Sequence, residues 1–133
     1  MATFKTRSNN NEAVIQMVSG LLKCLINVRL LHWNSLSYSE HQALGEFYEE
    51  LSDNLDRFVE EYQGTYSLIG MMANQMDFET VDSVSMDYLL AGRNMVAGLR
   101  NANGFPQGSN LQNVVDEIVS NFDRTIYKLR FLK

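Results

Sequence analysis

An all-α fold, a bundle of four helices with one long crossover between the second and the third, is what this sequence predicts. Three observations carry it. Apolar residues recur at spacings of three and four over long stretches, Pro106 is the sole proline, and two short breaks and one long one divide the chain. At 133 residues the chain has the size of one domain, so 1–133 reads as a single unit with 1–11 as a polar tail. A hydrophobic fraction of 45% is enough for one packed core and argues against disorder.

The tail ends in Asn9-Asn10-Asn11, a run able to cap a helix. Val14, Val18, Leu21, Leu25, Val28 and His32 then fall on one stripe of a first helix. The pattern breaks over Ser35 to Ser39, and Ser39-Glu40-His41-Gln42 reads as a capping box opening a second helix. Its core stripe is Leu44, Phe47, Leu51, Leu55, Phe58 and Tyr62, with Gly64 as a natural stop. From Gly64 to Val84 no period is sustained, although a short helix fits within it. A third helix is expected from about Ser85 to Asn101, using Met86, Leu89, Leu90, Val96 and Leu99. The stretch from Asn101 to Asn110 is a loop on its Gly, Pro and Asn content. Ser109-Asn110-Leu111-Gln112 is a second capping box, and Leu111, Val115, Ile118, Phe122, Ile126 and Leu129 carry a fourth helix.

Loop lengths choose the topology. Short breaks make helices one and two, and helices three and four, antiparallel neighbours. The middle connector, about twenty residues long, is unusual for a compact domain. A helix of about 25 residues is ~37 Å long, and a connector of that size can run its full length. Two hairpins joined in this way make a ferritin-like bundle. An up-down bundle with a loose middle loop is the alternative.

Charge and cysteine content narrow the function. A net charge of −5 argues against nucleic acid or an anionic membrane as the main partner. The single Cys24 cannot form an internal disulfide, which suits a reducing compartment. No leader pattern opens the chain and no unbroken apolar run approaches ~20 residues, so a cytoplasmic protein is expected. There is no phosphate-binding glycine loop, nucleophile elbow or CxxC pair.

The second helix carries Glu46, Glu49, Glu50, Asp53, Asp56, Glu60 and Glu61. Such a run is by default a solvated face. At ~100° per residue, however, His41, Gly45, Glu49, Asp56 and Glu60 share one side, turned away from the core stripe. Histidine grouped with Asp and Glu suits a hard or borderline cation such as iron. His41 and Asp56 are fifteen residues apart, hence ~22 Å along one helix. They cannot hold one metal within one copy. Two antiparallel copies crossing near Glu49 about a two-fold axis bring His41 of one opposite Asp56 of the other. His32 lies on the first helix's core stripe near the same turn, so it reads either as a core residue or as a ligand.

These residues resemble a family. His32-Trp33-Asn34, then His41, then Asp56-x-x-x-Glu60, is similar to the signature of the Dps-type mini-ferritins, the starvation-induced DNA-protecting proteins. The closing helix, Phe122-Asp123-Arg124 through Phe131, is similar as well. The resemblance implies a homo-oligomeric shell of twelve subunits built from two-fold dimers. It further implies iron oxidised between subunits, hydrogen peroxide as favoured oxidant, and ferric mineral stored inside. It assigns His32 and His41 as ligands from one chain and Asp56 and Glu60 as ligands from its mate. Where the family has an aspartate ligand, one turn after the second histidine, this chain has Gly45. Glu49, one turn further on, is the candidate replacement, and Trp33 and Tyr48 are possible redox-active accessories or packing residues. A ferritin-like structural protein with a degenerate metal site is the alternative. DNA binding is not expected, because the tail carries only Lys5 and Arg7, and Lys128, Arg130 and Lys133 suit the negative end of their own helix. Met71, Met72 and Met76 in the connector are read as adaptable packing or a subunit contact in preference to a copper(I) box.

Overall fold

The computed structural model describes residues 11–71, 76–77 and 84–133. Four helices account for nearly all of these: α1 (Glu12–Asn34), α2 (Tyr38–Thr65), α3 (Ser85–Leu99) and α4 (Ser109–Phe131). Among the described residues there is no strand, and the expected all-α four-helix bundle is what forms. The tail up to Asn10 and the connector residues 72–75 and 78–83, Met72 among them, lie outside the described residues.

The core is a single cluster fed by all four helices. On α1, Val14, Met17, Val18, Leu21, Cys24 and Val28 are buried, while Leu25 is only partly covered. The whole predicted stripe of α2, from Leu44 to Tyr62, is buried. On α4, Leu111, Val115, Ile118 and Phe122 are buried and Ile126 and Leu129 half-buried. The short α3 buries Leu89 and Val96 but leaves Leu90 exposed, contrary to the expectation for it.

Each helix packs on two others. α1 packs on α2 and α3, and α4 packs on α2 and α3; among the described residues α1 and α4 share no packed seam, and neither do α2 and α3, although Ser85 of α3 reaches Glu40 of α2. The register of each touching pair is antiparallel. Between α2 and α4, Glu46 pairs with Lys128, Glu50 with Arg124 and Arg57 with Glu117, so numbers rise on one helix as they fall on the other. Arg93–Asp123 and Arg100–Asp116 do the same for α3 and α4. Gly20 against Met95 and Asn27 against Tyr88 set α1 on α3. The ion pairs are solvent-exposed and contribute little each; the apolar seam beneath them holds the helices. Within it Phe122 meets Phe47 edge-on at 4.8 Å. The buried Asn121 donates to the Phe47 carbonyl at 3.0 Å, so its polar group is not left unpaired.

Helix ends depart from the expected caps in instructive ways. Asn11 is the residue before α1 but its side chain makes no capping bond. α2 starts two residues earlier than the Ser39 box requires. Ser37 is the cap, with its hydroxyl accepting from the Glu40 backbone N–H at 3.3 Å. Gly64 does not stop α2, which continues through Thr65. The Ser109 box does not form either: Gly108 precedes α4 and no side chain caps it. Gln112 is occupied elsewhere, donating to the carbonyls of Arg100 and Pro106 and accepting from the Arg100 guanidinium. It thereby ties down the α3–α4 loop, whose turn needs glycine at Gly104, where φ is +86°.

α1 also corrects the expectation about apolar runs. Polar residues interrupt it, yet by length and composition it is apolar enough to cross a membrane. A buried core helix passes the same test, and α1 buries one stripe against α2 and α3.

At the α1–α3 seam burial pushes the Cys24 thiol up to about 12, against the opposing effect of a hydrogen bond with Tyr88. Burial, and then the neighbouring Cys24, lift Tyr88 to about 12 as well. A thiol held protonated and covered is a poor nucleophile. A short iodoacetamide pulse at pH 8 should therefore leave the native chain unlabelled and add one adduct in denaturant, as read by mass. Labelling of the native chain would show that this seam opens.

Candidate metal site at the α1–α2 turn

Three residues, Ser35 to Ser37, separate α1 from α2, and the turn folds His32 of the last turn of α1 onto His41 of the first turns of α2. The rings stack, with centroids 3.7 Å apart and planes inclined by 13°. Each ring also bonds the other residue's backbone. The Nδ1 of His41 lies 2.8 Å from the His32 carbonyl oxygen, and the Nδ1 of His32 meets the His41 carbonyl. A carbonyl oxygen only accepts, so each Nδ1 carries a proton and donates. In the neutral rings both Nε2 atoms are then left with free lone pairs. The His32 carbonyl is one of the four that end α1 without a helical partner, and His41 supplies one.

Tyr48 stands edge-on to His32 at 5.4 Å, with the Arg29 guanidinium 4.5 Å over the tyrosine ring. The histidines open onto a cleft of about 320 Å³ lined also by Tyr38, Gln42, Gly45, Glu46 and Glu49. Glu46 is engaged by Lys128 at 2.8 Å. Glu49, one of the sequence candidates, reaches the same cleft and is exposed. Trp33, another, is 65% exposed and does not line it.

Asp56 and Glu60 lie elsewhere. They border a second cleft of about 670 Å³ further along α2, with Leu22, Leu55, Val59, Leu68, Ile69 and Met71 among its walls. One chain therefore brings His32, His41 and Glu49 to one cleft and leaves Asp56 and Glu60 at another. Among the described residues no three of His, Cys, Asp and Glu stand close enough to hold an ion. The stacked rings cannot share one either. A metal bonds an imidazole nitrogen near the ring plane at ~2.0–2.1 Å, and planes this nearly parallel do not meet at that range.

Charges on α2 fall into two groups. Glu46, Glu50, Arg57 and Glu61 are engaged in ion pairs, mostly to α4. Glu49, Asp53, Asp56 and Glu60 face away, exposed and in none of the ion pairs among the described residues. Beside them the described residues leave an apolar stripe of α1, Ile26, Leu30 and Trp33, exposed by 45%, 46% and 65%.

Arg29 and Tyr38 are parts of this site that sequence reasoning missed. Both depend on how the turn folds, and neither has a spacing signal. On the closing helix, Asp123 accepts from Arg93, and Arg124 grips Glu50.

A model described as a family of unknown function (DUF5856) matches residues 32–129, a span that starts on His32 and includes His41, Asp56 and Glu60. No curated protein and no solved structure matches the chain.

Proposed function

This chain belongs to the family of unknown function DUF5856, and we propose that it acts as a Dps-like mini-ferritin whose iron site is completed by a second copy. The observation that carries this reading is the division of donors on α2. His41, with His32 stacked on it, and a carboxylate run in none of the ion pairs among the described residues lie ~22 Å apart along α2, beside an apolar stripe that the described residues leave exposed. An isologous pair of α1–α2 faces buries that stripe and sets His32 and His41 of one copy opposite Asp56 and Glu60 of the other, twice.

The bundle itself supports the ferritin-like reading. α2 and α3 occupy diagonal corners. Ser85, at the start of α3, donates to Glu40 in the first turn of α2 at 3.4 Å. A connector from Thr65 to Ser85 that crosses the length of the bundle accounts for both observations.

In such a site each imidazole takes its own ferrous ion, since the rings do not converge on one, and the partner's carboxylates bind the harder ferric product. Iron is the substrate. Two ferrous ions give up one electron each, and hydrogen peroxide takes both, its O–O bond breaking to two hydroxides. A shell of two-fold dimers, twelve subunits on the Dps pattern, would hold the ferric mineral. Surroundings without a disulfide or a basic tail fit a cytoplasmic protein that does not depend on DNA.

A second reading has one observation in its favour. Gly45 stands where the Dps pattern has a ligand, so the two histidines would be only a clasp closing the α1–α2 turn of a structural protein. Oxidation of ferrous iron by peroxide, followed by absorbance in metal-free protein, separates the two. Wild type should exceed an Asp56→Ala/Glu60→Ala variant about tenfold or more. Equal rates, or a wild-type chain that is a monomer by light scattering, would defeat the metal reading.

A further inference from the structure

We propose that Gly45 is the positioning residue of the histidine pair, and that its missing side chain is what holds both Nε2 atoms free. The inference rests on the metal-site reading for the use made of those atoms, but not for its geometry. A Cβ on Gly45 would lie 2.9 Å from Cε1 of His32 and 3.3 Å from its Nδ1. Carbon atoms do not approach so closely, so one group must move. The helix backbone of α2 is pinned by Leu44 and Phe47, both fully buried on either side of this turn. The imidazole is the mobile partner. It is seated by His41 on one face and Tyr48 at its edge, with the α2 backbone at Gly45 beneath.

Displacing it costs more than contact. The His32 Nδ1–H leaves the His41 carbonyl, the stack opens, and the ring is free to carry its proton on Nε2 instead. A ring protonated there has lost the lone pair on Nε2, the atom that the seated ring leaves free. Gly45 thus seats the ligand. The same residue that removes a carboxylate from the cleft fixes the orientation of the imidazole, and an imidazole-based donor set suits borderline ions better than hard ones.

The test is histidine tautomer state in metal-free, ¹⁵N-labelled protein at pH 8, read by long-range proton–nitrogen spectra. Wild type should show both rings protonated on Nδ1. Gly45→Ala should keep the helical circular dichroism of wild type, move His32 to a form protonated on Nε2, and lower cobalt(II) affinity about tenfold or more. A folded Gly45→Ala protein with both rings still protonated on Nδ1 and cobalt affinity within twofold of wild type overturns the proposal. So does a wild-type spectrum with His32 protonated on Nε2, which decides the matter even should the variant not fold. Wild-type rings on Nδ1 and a shifted His32 in the variant, with no cobalt binding by either, would uphold Gly45's role while sinking the metal function. Asp56→Ala/Glu60→Ala leaves the tautomers as they are on this view, which keeps the two failures apart.

Discussion

Phe47→Ala is expected to remove about 3–5 kcal/mol of stability, the usual cost of truncating a fully buried phenylalanine. Phe47 is 0% exposed and meets Phe122 edge-on, at the centre of the α2–α4 seam. The cavity opens between two helices pinned on either side by Leu44, Leu51 and Ile118, all fully buried, so little collapse can fill it. Domains of this size are stable by about 5–15 kcal/mol, and the substitution takes a large part of that. Urea unfolding followed by circular dichroism should show an earlier midpoint with an unchanged slope. A shift worth less than about 1 kcal/mol would mean that the seam does not govern the fold. Leu36→Ala, at a side chain 105% exposed in the α1–α2 turn, is the matched control and should change little.

The contrast between those positions shows what was legible in the amino-acid order. Every residue of the α2 stripe is buried as its spacing requires, because a long amphipathic helix repeats its signal seven or eight times. α3 has only four turns and apolar residues on both sides, so its periodicity could not assign Leu90 to solvent. Caps were legible as residue types and not as partners. Two serines two positions apart compete for the start of α2, and Ser37 wins by reaching the Glu40 N–H. Gln112 has the right spacing for a box, but the Arg100 and Pro106 carbonyls, brought in by the loop, claim its amide.

The candidate site divides in the same way. Histidine and carboxylate types, and the impossibility of joining them within one helix, follow from spacing and the helical rise. The mutual bonds of the histidines do not, since each depends on a carbonyl belonging to the other helix. Gly45 reads in sequence as a ligand lost. In the folded chain it is also the surface on which His32 lies, and only the close approach of a ring from α1 reveals that.

The central claim is that one copy supplies imidazoles and the other carboxylates. Two variants separate these halves: His32→Ala/His41→Ala removes the first set, and Asp56→Ala/Glu60→Ala the second. Each alone should lose most of its iron oxidation, because every site in a homodimer then lacks one side. The loss in the histidine variant should be the larger, since no donor of borderline softness remains in the cleft. Neither change touches the core, as all four side chains lie outside the buried set. Both variants should keep wild-type unfolding midpoints to within about 0.5 kcal/mol apiece at the exposed carboxylates, and somewhat less closely at the histidine clasp.

Mixing the two inactive proteins is the most direct measurement. After joint unfolding and refolding in equal amounts, half of the dimers contain one chain of each kind. In such a dimer one site loses both donor sets and the other keeps both intact. Iron oxidation by peroxide should return to about a quarter of the wild-type rate in the mixture, with neither protein active alone. A mixture as inactive as its components, under conditions where light scattering shows that mixed dimers have formed, would contradict the two-chain site.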